Sequence, residues 1–422
     1  MTIQEQTPSP HTDTNSSSLS LPYWKDKLLA ALLKRCFDSV QHGHLTIALP
    51  GGELLSFGSA QASSLHISIT SHKVLSALFS AHPLALAESY LQGHWHCADL
   101  TALFRLFQRN RSDLLDLVSK DKWTALLARL YHARRANSKK GSRRNISDHY
   151  DLGNDFYEFW LDESMSYSSA YQMQNCSKTE LIEAQERKYE HILDLAQVPD
   201  NGKILEIGCG WAAMAATAAK RGHQLDGVTL SKEQLHYAQS QLREQNLDHL
   251  AKLSLTDYRD IKGNYDAIVS VEMLEAVGEA NWPTYFKQIK ESLKPGARAV
   301  IQVIVIKDEH FDFYRYNVDF IQRYVFPGGF LPCPKAMKEQ IASQGLRLEK
   351  EEYFGKDYEL TLQQWRKDFL KNWSAIKQLG FDERFKRLWT YYLCYCEAGF
   401  AEESLDVGFY VIQKPFEHIQ AQ

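Results

Sequence analysis

From residue 178 onward the chain alternates between helical and strand periodicity, and nothing else in it constrains the fold as strongly. A helical stretch over 178–196 leads into the strand KILEIG. There follow the helix WAAMAATAAKRG, the strand QLDGVTL, the helix SKEQLHYAQSQLREQN and the strands AKLSLTD and YDAIVSVEM. The helix WPTYFKQIKESLKPG and the strand ARAVIQVIVI complete the run. Strands separated by helices of this length predict an α/β fold with a doubly wound parallel sheet. VGFYVIQKP near the C-terminus predicts an antiparallel strand that closes the sheet.

The first strand ends in EIGCGWAA. Gly208 and Gly210 fall where the strand turns into its helix, so backbone N–H groups there can approach a ligand closely. The pattern also satisfies G-x-G-x-x-G/A, the dinucleotide fingerprint, which keeps a nicotinamide dehydrogenase in view. Two features point elsewhere. Glu206 precedes the first glycine at the strand end, where it repels a pyrophosphate and suits a cationic ligand. Asp226 falls early in the next strand, whose end carries Thr229 and Leu230 instead of an acid. S-adenosylmethionine, with an ammonium and a sulfonium and no phosphate, fits that site better.

The rest of the chain divides by composition. Residues 1–20 are polar and rich in Ser, Thr and Pro, which predicts a disordered tail. Residues 21–128 read as a small α+β domain: an amphipathic helix over 23–42, a hairpin around PGG, a strand LHISITS, then helices over 72–95 and 99–118. Residues 129–146 form a linker with Arg129, Arg134, Arg135, Lys139, Lys140, Arg143 and Arg144. It is either a solvated connection or a contact for an anionic membrane surface. Residues 147–416 then make the catalytic domain. The stretch 310–330 is dense in Phe and Tyr, and reads as a core helix and loop or as an apolar, cation-stabilising pocket.

The formal net charge is -4, which gives no global attraction to nucleic acid. The apolar runs are shorter than the ~18 residues a membrane span needs, and no signal-peptide pattern is present. The seven cysteines include no C-x-x-C pair and read as reduced thiols of a cytosolic protein, with no metal site. H-E-x-x-H and G-x-S-x-G are absent, which leaves zincin and α/β-hydrolase chemistry without support.

Longer stretches carry a family resemblance. NISDHYDLGNDFYEFWLDESMSYSSAY, LEIGCGWAAMA, GVTLSKEQLHYA, IVSVEMLEAVGEANWPTYF, DFIQRYVFPGGFLP and YYLCYCEAGF occur in that order. Together, across roughly residues 90–415, they resemble the cyclopropane fatty acyl phospholipid synthase family of S-adenosylmethionine-dependent methyltransferases. The resemblance implies a Rossmann-like, seven-stranded methyltransferase sheet with helical lipid-site insertions. It implies methyl transfer to the double bond of an unsaturated phospholipid acyl chain, through a carbocation. A dry, aromatic pocket suits such a cation. The implied setting is cytoplasmic, peripheral on the inner face of the membrane, and a homodimer is one arrangement open to it.

Residue by residue, the resemblance assigns the cofactor to Tyr167, Ser168, Glu206, Gly208, Gly210, Trp211, Thr229, Leu230, Gln234, Asp257 and Tyr258. It assigns the chemistry to Glu275 and Tyr358, with Ser169, Gln302 and Ile304 completing a site that in typical members binds bicarbonate as the base. Glu272 is a second candidate carboxylate. The chain departs from the commonest family pattern at four places. Ala212 and Ala213 replace a glycine pair, which the remaining glycines should make tolerable. Ser169 replaces a cysteine, Ala276 a histidine after the carboxylate, and Gln302 a histidine on the next strand. A glutamine holds an anion but carries no proton away. These departures leave cofactor binding intact and put the fate of the carbocation in question. Ring closure is the first expectation, methylation without ring closure the second, and a cofactor- or lipid-binding protein without turnover the third.

Overall fold

The computed structural model describes residues 23–59, 64–80, 84–111 and 152–416. The expected N-terminal tail and basic linker lie outside the described residues.

The larger sheet has seven strands in the order β10-β11-β9-β8-β5-β6-β7. Its members are β5 (Lys203–Ile207), β6 (Gln224–Thr229), β7 (Ala251–Leu255), β8 (Tyr265–Val271), β9 (Leu293–Ile306), β10 (Arg347–Tyr353) and β11 (Leu405–Gln413). β5 to β9 pair in parallel; β11 runs antiparallel to β9, and β10 antiparallel to β11. The chain enters at β5, winds outward through β6 and β7, then returns to the other side at β8. The connections leaving β5 and β8 therefore diverge at the strands' carboxyl ends and open a crevice there. β5 is buried at four of its five positions, as a strand covered on both faces must be.

Capping sets the helices that frame the crevice. Ser177 accepts a hydrogen bond from Glu180 N at 3.3 Å and starts the helix Lys178–Ala196. Its inward face carries Leu181, Ala184, Gln185, Lys188 and Ile192, at helical spacing. Ser231 caps the helix Lys232–Glu244 in the same way, accepting from Gln234 N at 3.2 Å.

A four-stranded sheet, β2-β1-β3-β4, forms the N-terminal part. β1 (His44–Ala48) and β2 (Leu54–Gly58) make the expected hairpin, and β3 (Ser64–Ile69) pairs in parallel with β1. Two expectations need correction. The first helix stops at Phe37. The stretch 72–95 is two short helices, Val74–Phe79 and Ala85–Leu91, and its end belongs to β4 (Trp95–Cys97). Strand pairing with β3 and burial of Trp95 and Cys97 override helical periodicity there.

The helix Leu100–Arg109 packs on the helix Glu383–Ala401. Thr101 donates to Glu397 Oε2 at 3.1 Å, and Arg366 donates to the same oxygen at 2.7 Å. Arg105 and Arg109 both reach Glu402. Among the described residues, no helix is long and apolar enough to cross a membrane.

Candidate active site

The crevice at the carboxyl ends of β5, β6 and β8 holds a cleft of about 980 Å³, open mouth included. Its lining includes Tyr167, Ser168, Glu206, Gly208, Gly210, Trp211, Thr229, Leu230, Gln234 and Tyr258. Of the cofactor residues named from sequence, Asp257 alone is outside that lining. It is buried, and Arg259 holds its carboxylate through Nε at 2.8 Å and Nη2 at 2.7 Å.

The glycine turn works differently from expectation. The N–H groups of Gly208 and Cys209 donate to Val228 O at 2.9 and 3.0 Å, so they tie the turn to β6 and are not offered to a ligand. Gly208 sits at φ +88°, and a Cβ there would lie 2.8 Å from Met273 Cγ. Glycine is needed for conformation and for close packing at once. Ala212, at φ +76°, takes a left-handed conformation that a glycine would adopt without strain.

Thr229, Ser231 and Gln234 form one hydrogen-bonded corner. Thr229 Oγ1 donates to Gln234 Oε1 at 3.2 Å and accepts from Ser231 N at 3.2 Å. Trp211 donates from its indole to Asn154 Oδ1 at 2.8 Å. Tyr157, Trp160, Trp365 and Phe326 surround the Tyr167 ring, whose hydroxyl meets Tyr392 at 2.9 Å. This aromatic wall comes mainly from 156–167 and 358–400. The stretch 310–330, read from sequence as a core helix and loop or as an apolar pocket, lies in the helices Asp308–Tyr316 and Phe320–Tyr324 and the loop after them, and contributes Phe326 to this wall. Trp160, Trp365 and Tyr392 were missed; the aromatic clusters YEFW and YYLCYC were the available signal for Trp160 and Tyr392.

Glu206 is buried, its Oε2 has no hydrogen-bond partner, and burial pushes its carboxyl up to about 8. A cationic group bound in the cleft would repay that desolvation by ionising it. The ammonium of S-adenosylmethionine fits, and a pyrophosphate does not.

Beyond the cofactor cleft lies a buried polar cluster. Its centre is Glu272, while the carboxylate first chosen from sequence, Glu275, stands beside it. Glu272 Oε1 accepts from Ser169 N at 2.9 Å and from Gln302 Nε2 at 2.8 Å. Its Oε2 accepts from Tyr358 OH at 2.6 Å. Glu272 has φ +48°, uncommon for a side-chain-bearing residue, and its N–H donates to Gln302 O at 2.8 Å. That turn aims the carboxylate back into the cluster, and Glu272 also lines the cofactor cleft. Glu275 Oε1 accepts from Ile304 N at 2.6 Å, and its Oε2 has no partner. Burial and repulsion from Glu272 push the Glu275 carboxyl up to about 8. Burial also raises Glu272, but Tyr358, Ser169, Lys188 and Gln302 all pull it back. The donors and the lysine around Glu272 therefore favour a negative charge on it over one on Glu275.

The groups that the resemblance offers to bicarbonate are thus taken up. Ser169 N–H, Gln302 and Tyr358 already hold a planar carboxylate supplied by the chain. A second anion there would face Glu272 with its donors spent. Bicarbonate does not fit this cluster.

Lys188, absent from the sequence-derived site, is fully buried in the same neighbourhood and donates to Ser168 Oγ at 2.6 Å. The signal was available: a lysine on the inward, mainly apolar stripe of this helix.

Comparison with known proteins agrees with this architecture. A family model described as mycolic acid cyclopropane synthetase matches residues 137–410. The tuberculostearic acid methyltransferase UfaA1 of Mycobacterium tuberculosis is 35% identical over 372 residues, covering 86% of this chain and 87% of that protein. The cyclopropane-fatty-acyl-phospholipid synthase of Escherichia coli K12 is 35% identical over 338 residues, covering 79% and 84%. Among solved structures, the mycolic acid cyclopropane synthase CmaA1 complexed with SAH and CTAB superposes with a TM-score of 0.60 at 25% identity, over 64% of this chain and 98% of that one. With a cleft that suits a cationic, phosphate-free cofactor and a match over most of its length, the chain belongs to the cyclopropane synthase family of S-adenosylmethionine-dependent methyltransferases.

Proposed function

We propose that this enzyme methylates the double bond of unsaturated phospholipid acyl chains and that Glu272 is the base that ends the reaction. One observation carries the second part: the Glu272 carboxylate holds the donors that the family resemblance assigns to a bound bicarbonate.

S-adenosylmethionine supplies an electrophilic methyl group. The alkene π pair forms the new carbon–carbon bond, the sulfur–methyl bond breaks, and sulfur keeps that electron pair. The positive charge is left on the neighbouring chain carbon, where the aromatic wall and Glu272 stabilise it. A C–H bond then breaks, and its proton passes to Glu272. When that bond belongs to the new methyl group, its electron pair closes a cyclopropane ring, which is the first reading. When it belongs to an adjacent chain carbon, the pair forms a new double bond and a methylated alkene results. The second reading rests on the fixed carboxylate, which stands in place of a small diffusible base and restricts which hydrogen is within reach.

Glu275, held neutral, donates no charge and keeps the Ile304 backbone in place. The basic stretch 129–144 supports an encounter with anionic membrane surfaces, and the lipid partner follows from the same reading.

Vesicles of unsaturated phospholipid with methyl-labelled S-adenosylmethionine test the proposal. Glu272→Gln should abolish label transfer while cofactor binding persists. Wild-type turnover retained in Glu272→Gln would refute the base assignment. No label in lipid from wild-type protein with the cofactor bound would reduce the protein to a binding role. Mass spectrometry with product fragmentation separates ring from methylated alkene.

A further inference from the structure

Lys188 is a charged side chain with no solvent exposure, and the reaction as written does not use it. Replacing a buried ion pair with apolar side chains is often neutral or stabilising, so stability alone does not explain an ammonium here. Its surroundings are specific. Nζ donates to Ser168 Oγ at 2.6 Å and to Gln185 Oε1 at 2.5 Å, and lies 4.4 Å from the centroid of the Tyr189 ring. Gln185 in turn donates to Ser168 O at 2.9 Å. Lys188 and Gln185 thus hold both the hydroxyl and the carbonyl of Ser168, which lines the cofactor cleft. The next residue, Ser169, donates its N–H to Glu272.

Two carboxylates, Glu272 first and Asp162 second, act on the ammonium through electrostatics and not through a direct hydrogen bond. Asp162 has its own donors, Ser164 N at 2.9 Å and Ser166 N at 3.3 Å, together with the Ser164 hydroxyl. The remaining titratable neighbour is Tyr189, whose hydroxyl bonds Ser166 at 2.9 Å and which burial keeps neutral. Burial draws the ammonium down to about 7, and the two carboxylates oppose that fall.

Building on the assignment of Glu272 as base, we propose that Lys188 is a positioning residue for methyl transfer. Its ammonium is the counter-charge that keeps Glu272 ionised at and below neutral pH, and its bond to Ser168 holds the base's anchor in register with the cofactor cleft. Without the charge, Glu272 loses a neighbouring cation in a low-dielectric site and its proton affinity rises. The base is then protonated at neutral pH and cannot accept a proton from the substrate.

The test compares kcat across about pH 6 to 9 for wild type, Lys188→Gln and Lys188→Met. Gln keeps a donor toward Ser168 and removes the charge. Both variants should lose about 30-fold or more in kcat at pH 7 and recover most of it toward pH 9. Their acidic limb should move up by about 1.5 pH units or more. A purely structural role would lower kcat equally at all pH values. An unmoved acidic limb in a folded variant overturns the proposal, and so does failure of both variants to fold, which would make Lys188 a structural residue. Glu272→Gln, run alongside, separates the two ideas. If it retains turnover, the base assignment has failed. If it is inactive while the Lys188 variants keep the wild-type limb, only the Lys188 proposal has failed.

Discussion

Tyr358 donates its hydroxyl to Glu272 Oε2 at 2.6 Å, a contact between residues 86 positions apart in the chain. It fixes one oxygen of the carboxylate while Ser169 and Gln302 fix the other. Tyr358→Phe removes only that donor and leaves a buried charged oxygen unsatisfied. A hydrogen bond to a charged group contributes about 1.5–3 kcal/mol, so kcat should fall about 10- to 100-fold. Cofactor affinity, measured by calorimetry, should change by less than about threefold.

The two neighbouring carboxylates should respond oppositely to amide substitution. Glu275 is held neutral, and an amide resembles a protonated carboxyl in shape and charge. Glu275→Gln should therefore retain kcat within about tenfold, whereas Glu272→Gln should be inactive, as transfer of labelled methyl groups to lipid would record. Equal loss in both variants would return the base role to Glu275 or divide it between them.

Burial raises Glu206 and Glu275 each from 4.5 to about 8. Between those values the native state binds more protons than the unfolded chain, so stability falls as pH rises through that window. The ligand-free protein should be more resistant to urea near pH 5.5 than near pH 8. An ammonium placed at Glu206 requires the ionised carboxylate. Cofactor binding at pH 7 should release a proton, visible as a dependence of calorimetric heat on buffer ionisation enthalpy. Its affinity should rise with pH up to about 8. Glu206→Gln should remove the proton release.

Ala212 carries its methyl group at φ +76°. A left-handed conformation costs an L-residue about 1–2 kcal/mol, and the extra flexibility of unfolded glycine returns about 0.5–1. Ala212→Gly should stabilise the protein by about 0.5–1 kcal/mol, a rise of ~1–4 °C in Tm by calorimetry. Gly208→Ala, four residues earlier, should do the reverse, because its Cβ would also press on Met273.

Glu397 joins the helix Leu100–Arg109 to Arg366, and its side chain is only 4% exposed. Glu397→Ala leaves Arg366 mostly buried without its carboxylate and should cost about 3 kcal/mol in urea unfolding. Glu397→Gln should cost less, since one acceptor remains.

The alternation of helix and strand after residue 178 determined the parallel sheet, because period and spacing allow few other arrangements. β10 was not recognised: Arg347–Tyr353 is an edge strand with mixed polarity, and its pairing with β11 depends on a distant segment. The cofactor cleft was legible because its residues cluster near three strand ends that the sequence orders locally. Asp257 was the exception, since its fate depended on a side-chain pair with Arg259 that spacing alone does not signal. The cluster around Glu272 was a different matter. Ser169, Lys188, Gln302 and Tyr358 lie on four separate segments, and each has an unremarkable local context. Only the tertiary structure decided that they converge on Glu272 instead of Glu275. The physical reason is that a hydrogen bond between remote segments, and the charge state it sets, exists only once packing has removed water from both partners.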